Sequence, residues 1–155
     1  MSQDSSMKKQ NSMCNAMSVD VEDYFQVSAL EKHIEKSDWD NIPCRVEKNI
    51  ERILALFETK GIKATFFTLG WIAERYPSMV KKIVENGHEL ASHGWEHIRV
   101  TQQGQDEFRQ DITRTKHFLE DLSGKQIKGY RAASYSICSE NLWALDCLAD
   151  ASYLY

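Results

Sequence analysis

The chain has 155 residues, of which 42% are hydrophobic and 27% are charged. This size and composition are typical of one globular domain with a substantial core, and they exclude a disordered or fibrous protein. The formal net charge of −4 comes with no basic stripe, which argues against binding to nucleic acid or to an anionic membrane surface.

The cysteines and the N-terminal residues favour a cytoplasmic protein. Cys14, Cys44, Cys138 and Cys147 form no C-x-x-C pair, so they indicate neither a zinc ribbon nor a disulfide framework. Residues 1–16 lack the apolar segment of a signal peptide, and we expect them to form a disordered leader ahead of a domain that begins at residue 17. The sequence contains no apolar run of the roughly 18 residues that a membrane span needs.

The apolar pattern predicts strands that alternate with helices. Short β-branched or aromatic runs predict strands at residues 17–21, 62–69, 88–91, 126–130 and 151–155. Apolar residues at helical spacing predict helices at residues 45–60, 77–86, 105–122 and 139–148. We expect Gly61, Gly87 and Gly124 to end the first three helices and Ser139 to cap the fourth.

This alternation predicts a parallel α/β fold with right-handed crossovers between the strands. Because the sequence ends inside the predicted fifth strand, we expect a (β/α) barrel that is truncated after about five strands. A sheet of that kind has an open edge and uncovered apolar surface, which predicts self-association.

Residues with metal-binding chemistry follow three of the predicted strands. Asp20 and Glu22 end the first strand, His93 and His97 follow the third, and Arg131 follows the fourth. The carboxyl ends of parallel strands meet at one edge of a sheet, where functional groups collect. Two imidazoles and one carboxylate suit zinc or another divalent transition metal. A second carboxylate can then accept the proton of a metal-activated water.

Each of these clusters also has a purely structural interpretation. Two histidines four residues apart can share an exposed helical turn without binding a metal. Acidic residues after a short strand can occupy the first turn of a helix, where the helix dipole favours them. The structural interpretation needs a separate explanation for each cluster, whereas the metal site explains them together.

Four segments carry a resemblance to a known family: SVDVEDYF at residues 18–25, ATFFTLG at 64–70, NGHELASHGWEH at 86–97 and GYRAAS at 129–134. In order and spacing they resemble the polysaccharide deacetylases, the NodB-homology family that is also called carbohydrate esterase family 4. The Asp-Val-Glu-Asp-Tyr-Phe signature is most similar to the exosortase-associated bacterial branch of that family.

The resemblance implies a distorted seven-stranded β/α barrel. It also implies metal-dependent removal of N-acetyl groups from an amino-sugar polysaccharide or oligosaccharide. By position, Asp20 matches the catalytic base and Arg131 matches the arginine that orients this base. The backbone N–H of Ser134 matches the donor that stabilises the tetrahedral oxyanion.

The implied metal ligands are Glu22, His93 and His97. Asp23 is the rival of Glu22 for the carboxylate position. Trp95 lies between the two histidines, and we expect it, together with Tyr24, to contact the substrate, although aromatic residues after strands also serve as core packing.

Two departures from the family pattern favour alternative functions. Ala133 stands where the family usually has proline, which loosens the loop that presents the Ser134 N–H. The family's general-acid histidine, carried on later strands, has no match among the 155 residues. The chain is therefore also consistent with an inactive metal-binding fragment or interaction module. A third hypothesis is an allantoinase-like hydrolase of small cyclic amides.

Overall fold

A three-stranded parallel sheet lies at the centre of the fold. The computed structural model describes residues 15–155, so most of the predicted leader lies outside the described residues. The strands are β1 (Ser18–Val21), β2 (Thr65–Thr68) and β3 (Glu89–Ser92), and they lie in the order β1-β2-β3. Their register pairs Val21 with Thr68 and Thr68 with Ser92. All three strands therefore end at the same edge of the sheet.

Helices connect the strands and cover the sheet. They are α1 (Val46–Lys60), α2 (Gly70–Arg75), α3 (Pro77–Glu85), α4 (Gln105–Ser123) and α5 (Trp143–Asp150). Short 3-10 turns occur at Ser28–Leu30, Lys36–Asn41, Val100–Gln102 and Ala133–Tyr135. The predicted stops after α1 and α4 are confirmed, since Gly61 and Gly124 adopt φ values of 63° and 64°, a left-handed conformation that glycine reaches without a steric cost.

The core lies between the sheet and the apolar faces of the helices. Phe66 of the central strand β2 is fully buried, as expected for a parallel strand that is covered on both faces. The helical spacing found in the sequence accounts for the buried faces of α1 and α4. These faces consist of Val46, Ile50, Leu54 and Phe57 in α1, and Phe108, Ile112 and Leu119 in α4.

The predicted fourth and fifth strands do not form in the described residues. Residues 126–130 contribute a single parallel bridge between Ser92 and Tyr130. Residues 151–155 run beside them, where Tyr130 N donates to Tyr155 O over 2.8 Å. The prediction of five strands is therefore wrong for residues 15–155, which contain three strands and one bridge.

A buried lysine explains why no longer ladder forms there. The ammonium group of Lys116, on α4, donates to the carbonyl oxygen of Ile127 over 2.6 Å and to that of Ser152 over 3.0 Å. These two carbonyl groups are satisfied by a side chain instead of a neighbouring strand. Ser152 also has a φ of 59°, which is incompatible with extended strand geometry.

The structure adds one helix that was not predicted and corrects one predicted cap. Helix α2 was not predicted, because it has only six residues and its apolar pattern merges with the strand before it. Ser139 does not cap α5, since the residue before the first turn is Leu142.

The seven-stranded barrel and its truncation stay predictions. Self-association also stays a prediction, and apolar side chains such as Leu145 and Leu154 are exposed. None of the helices in residues 15–155 is long and apolar enough to cross a membrane.

The carboxylate of Asp23 joins the segment after β1 to the start of α1. Its Oδ2 atom accepts hydrogen bonds from Val46 N over 2.8 Å, from Arg45 N and from Cys44 Sγ. Its Oδ1 atom accepts one from Tyr24 N over 2.8 Å. Because the first backbone N–H groups of a helix have no partner within the helix, this buried carboxylate acts as their cap.

We predict that Asp23→Ala lowers the free energy of unfolding by about 1–3 kcal/mol, because buried N–H groups lose their acceptor. Urea denaturation monitored by circular dichroism measures the change. Asp121→Ala, at an exposed position of α4, is the matched control and is expected to stay within about 0.5 kcal/mol of the wild type. Equal stability of the Asp23→Ala variant and the wild type would show that the cap contributes nothing.

Candidate metal centre

The end of β1 and the residue that follows it direct two carboxylates into one cavity. Side chains alternate across a strand, so Asp20 and Glu22 share a face, while Val21 between them is fully buried in the core. Both carboxylates line a cavity of about 250 Å³ at the carboxyl edge of the sheet. The two-residue offset seen in the sequence therefore has a direct structural cause.

The position and tautomer of His93 are fixed by the ends of the strands. Its backbone N–H donates to Thr68 O over 3.1 Å, which continues the β2–β3 ladder by one residue. Its Nδ1 lies 2.7 Å from the carbonyl oxygen of Arg131. A carbonyl oxygen only accepts, so Nδ1 carries the proton and Nε2 keeps its lone pair. Nε2 is the atom that faces Glu22.

The two histidines lie on a loop and not on a helical turn, which corrects the simplest interpretation of their spacing. Gly94 has a φ of 78° and His97 a φ of 57°, and neither value is compatible with a right-handed helix. The start of α2 holds this loop in place. Gly70 N donates to Gly94 O over 3.0 Å, and Trp71 N donates to Trp95 O over 2.9 Å.

Glu22, His93 and His97 converge on one point. Glu22 Oε2 lies 3.0 Å from His97 Nε2 and 3.8 Å from His93 Nε2. One ligand atom from each of the three residues lies within 4.8 Å of the other two. This separation allows the three atoms to share a single ion, since zinc binds nitrogen and oxygen ligands at about 2.0–2.2 Å.

Burial sets the charge of this cluster. Desolvation, followed by repulsion from Asp20, raises the pKa of Glu22 to about 7. Desolvation, followed by the neighbouring His93, lowers the pKa of His97 to about 4. Burial also lowers the pKa of His93. At neutral pH both imidazoles are thus neutral, which is the form that binds a metal.

The chemistry of these residues fits a divalent cation. Glu22 Oε2 is buried and accepts no hydrogen bond from the described residues. Buried polar atoms without a partner are costly and need an explanation. For the carboxylate oxygen, a cation between it and the two imidazole nitrogens supplies one, because a nearby positive charge favours the ionised carboxylate.

Arg131 orients the second carboxylate. Its Nη1 donates to Asp20 Oδ1 over 2.5 Å, and its Nη2 donates to Ser18 Oγ over 2.8 Å. The guanidinium carbon lies 3.9 Å from the centroid of the Phe67 ring. The guanidinium of Arg131 stacks on the Phe67 ring and donates hydrogen bonds to Asp20 and Ser18. Arg131 therefore holds Asp20 in a fixed position beside the cluster of ligand side chains.

Ser134 lies in the same cavity, on a loop with an unusual backbone. Its φ and ψ angles are 51° and 29°, and its hydroxyl lies 2.7 Å from the hydroxyl of Ser28. The cavity thus brings together the base, arginine, oxyanion donor and metal ligands that were predicted from the sequence. Its lining consists of Asp20, Glu22, Val27, Ser28, Ala29, His93, His97, Arg131, Ala132, Ser134 and Tyr135.

Comparison with known proteins assigns the family. Residues 36–148, more than half of the 155 residues, match the sequence model of the family described as Polysaccharide deacetylase. The chain belongs to the polysaccharide deacetylase family. The family predicted from the four sequence segments is therefore confirmed.

A known relative of this deacetylase-family chain aligns with part of its length. A peptidoglycan-N-acetylglucosamine deacetylase of Bacillus cereus is 34% identical over 96 residues, which are 61% of this chain and 35% of the relative. This chain therefore spans about a third of that relative's length.

Solved structures share the fold. A family 4 carbohydrate esterase from Streptomyces lividans, in complex with acetate, has a TM-score of 0.63 and 26% identity over 67% of this chain and 53% of that one. A family 4 pseudoenzyme from Bacillus anthracis has a TM-score of 0.64 and 22% identity over 69% of this chain and 37% of that one. The chain thus has the α/β fold with parallel strands found in these deacetylase-type proteins.

The geometry separates Glu22 from its rival Asp23. The Asp23 carboxylate is only 5% exposed and is engaged with the start of α1. Neither of its oxygens joins the cluster of Glu22, His93 and His97. Of the two carboxylates, Glu22 is therefore the one that is placed to bind a metal in this deacetylase-family fold.

The two predicted substrate contacts lie away from the cavity. Trp95 is 5% exposed, and its ring is covered by the Arg114 guanidinium at 3.4 Å and flanked by the Phe118 ring at 5.3 Å. Tyr24 lies under the guanidinium of Arg45, at 4.3 Å. Neither aromatic residue lines the cavity. Arginine side chains pack against both rings, and the contact of Trp95 and Tyr24 with the substrate stays a prediction.

Asp111, on α4, supports the loop of His93 and His97, and the sequence analysis did not predict this role. Its Oδ1 accepts a hydrogen bond from Trp95 N over 3.0 Å, and its Oδ2 lies 2.9 Å from the position that a Cβ of Gly94 would occupy. Desolvation raises the pKa of Asp111 to about 6, and Glu96 adds to this, while the Trp95 N–H, Arg114 and Lys36 oppose it. A single acid on a predicted helix resembles a solvent-exposed residue, so the sequence carried no signal for this role.

We predict that Asp111→Asn changes the pH dependence of stability. The folded-state pKa of about 6 lies above the ordinary value of 3.8, so the folded protein holds more protons between pH 4 and 6 and loses stability as the pH rises through that window. Because asparagine does not titrate, the variant lacks this loss of stability. The free energy of unfolding of the variant minus that of the wild type should therefore rise by about 1–3 kcal/mol from pH 4 to pH 6.

Urea denaturation at pH 4, 5, 6 and 7, with chelator present in every sample, measures this difference. Asp106→Asn, an exposed position at the start of the same helix, is the control and should show no such trend. A constant difference between Asp111→Asn and the wild type over the whole pH range would contradict the raised pKa.

Proposed function

We propose that this chain carries the metal-binding part of a hydrolase that removes N-acetyl groups from an amino-sugar polysaccharide or oligosaccharide. One observation carries the proposal. A three-ligand cluster of Glu22, His93 and His97 opens into the same cavity as the Asp20–Arg131 pair. Two imidazoles and one carboxylate leave coordination positions free, as in catalytic metal sites.

In the proposed reaction, Asp20 accepts the proton of the attacking water. Its carboxylate lines the cavity beside the cluster, and Arg131 holds it in one orientation. A zinc ion held by Glu22, His93 and His97 would supply the Lewis acidity that activates the water and polarises the acetyl carbonyl. The contact with Arg131 fixes the orientation of the Asp20 carboxylate, and a general base must be positioned in this way to reach the proton that it abstracts.

The loop of Ser134 supplies the proposed oxyanion donor. Ser134 lines the cavity opposite the strand ends, and its side chain is joined to Ser28. A backbone N–H that is fixed before the reaction stabilises negative charge without reorganisation. Ala133 replaces the usual proline, but Ser136 compensates in part, since its N–H and its hydroxyl both donate to the Ala133 carbonyl oxygen.

The proposed substrate is a polymer of N-acetylglucosamine. The name of the Bacillus cereus relative, a peptidoglycan-N-acetylglucosamine deacetylase, supports this substrate class. The signature at residues 18–25 favours the exosortase-associated branch of the family. The cytoplasmic location stays a prediction.

An inactive metal-binding module is the second candidate function. Within residues 15–155, the imidazoles that line the cavity are those of His93 and His97, and both are assigned to the metal. The protonation of the leaving amine therefore has no assigned histidine in the described residues. The Bacillus anthracis protein with this fold is described as a pseudoenzyme, which shows that the architecture also occurs in a pseudoenzyme.

We predict that the zinc-loaded chain releases acetate from N-acetylglucosamine hexamers and that Asp20→Asn lowers the rate by roughly 10²–10⁴-fold, the usual contribution of general-base catalysis. An enzyme-coupled acetate assay measures the rate. Asp146→Asn, an exposed acid on α5, is the matched control and should retain the wild-type rate.

The zinc content of each variant, measured in parallel, separates the two candidate functions. Acetate release that is unchanged in Asp20→Asn would rule out Asp20 as the base. A wild-type chain that binds one zinc ion and releases no acetate would favour the inactive module.

A further inference from the structure

Tyr135 is the most exposed large apolar or aromatic side chain of the described residues, and it stands at the candidate site. Its exposed fraction is 77%, and it lines the cavity next to Ser134. An aromatic ring that is left in water at the edge of a functional cavity loses the favourable free energy of burial. A ligand that covers the ring would recover this free energy.

The backbone around Tyr135 is strained. Ser134 and Tyr135 adopt φ values of 51° and 52° in succession, a region that residues other than glycine seldom occupy. Such a backbone conformation is unfavourable for residues other than glycine, and strain of this kind collects at functional sites. A glycine at position 135 would remove the cost, so a structural role alone does not account for tyrosine there.

Hydrogen bonds on both sides hold this strained turn in place. Tyr135 N donates to Ala132 O over 3.1 Å. The hydroxyl groups of Ser134 and Ser28 lie 2.7 Å apart, and Ser136 Oγ accepts a hydrogen bond from Val100 N over 2.9 Å. The ring is therefore presented on a fixed backbone, which lowers the entropy lost when a ligand binds.

The two aromatic rings that were predicted to contact the substrate pack against arginines, whereas the ring of Tyr135 is left mostly in water. The ring of Trp95 is covered by Arg114 and that of Tyr24 by Arg45. The Tyr135 ring has the Arg131 guanidinium at 6.0 Å, at the limit of a cation–π contact. The cavity of about 250 Å³ is smaller than the roughly 300 Å³ of the smallest typical ligand pockets. A polymer bound there must extend over the rim.

We propose that Tyr135 is a stacking platform for a pyranose ring of the bound glycan. The apolar C–H face of a sugar packs against an aromatic ring, and tyrosine offers a large contact area with only two rotatable side-chain bonds. This contact would place the sugar's acetamido group next to the metal ligands. The proposal deepens the deacetylase function and rests on it for the identity of the ligand.

The test compares Tyr135→Gly, Tyr135→Phe and wild type in the zinc-loaded protein. Isothermal titration calorimetry with the N-acetylglucosamine hexamer measures Kd, independently of turnover. We expect Kd to rise roughly tenfold in Tyr135→Gly, the effect of about 1.4 kcal/mol, and to stay within about twofold in Tyr135→Phe, which keeps the ring. Where acetate release is detectable, the loss should appear in KM more than in kcat.

The controls separate stacking from folding and from catalysis. Tyr135→Gly should unfold at the same or a higher temperature than wild type, since glycine relieves the backbone strain. Tyr155→Leu removes another exposed aromatic ring, outside the cavity, and should leave Kd unchanged.

The outcomes distinguish this proposal from the proposed function. Equal Kd values for Tyr135→Gly and wild type, or no binding of the hexamer to wild type, would overturn the stacking platform. Loss of binding in Tyr135→Gly, rescued in Tyr135→Phe, supports it even if no acetate is released, a result that would contradict only the deacetylase activity.

Discussion

Arg131 joins the cluster of Glu22, His93 and His97 to the carboxylate of Asp20 beside it. Its carbonyl oxygen accepts the Nδ1 proton of His93, and its guanidinium group binds Asp20. One residue thereby fixes the tautomer of a proposed metal ligand and the orientation of the proposed base. Displacement of this residue would disturb both halves of the site together, because metal ligands and bases depend on such outer hydrogen bonds.

The single bridge after β3 determines where Arg131 lies. Arg131 N donates to Ser92 O over 3.0 Å, and Ser92 N donates to Gly129 O over 2.9 Å. These two bonds are the rungs of the bridge between Ser92 and Tyr130. The remainder of the predicted fourth strand is absent, but the part that positions Arg131 is present. A short piece of ladder is therefore sufficient to build the site.

The loop of the two histidines depends on a different set of contacts. The start of α2 donates two N–H groups to the carbonyls of Gly94 and Trp95, and Asp111 accepts the N–H of Trp95. A Cβ on Gly70 would lie 2.2 Å from the Trp95 ring, so only glycine fits where α2 begins. Trp95 thus holds the loop of the two histidines against the start of α2.

Local patterns predicted the elements and the residues of the site, whereas long-range contacts decided the rest. The apolar periodicity located α1 and α4, and the strand ends located Asp20, His93 and Arg131. No local pattern shows that the Lys116 ammonium donates hydrogen bonds to carbonyl groups in the last two predicted strands, which would otherwise pair with a neighbouring strand. In the same way, the sequence leaves Asp23 as a rival of Glu22, and the packing of α1 engages Asp23 while Glu22 lies in the cluster with the two histidines.

A zinc titration of the apo chain, followed by isothermal calorimetry, tests the central claim most directly. The account predicts one zinc ion per chain for wild type and for Asp23→Asn, in which the amide oxygen still caps α1. It predicts a loss of affinity of more than about 100-fold in Glu22→Gln, beyond what loss of an outer hydrogen bond costs. Equal zinc affinity in Glu22→Gln and wild type would contradict the assignment of Glu22, His93 and His97 as one metal centre.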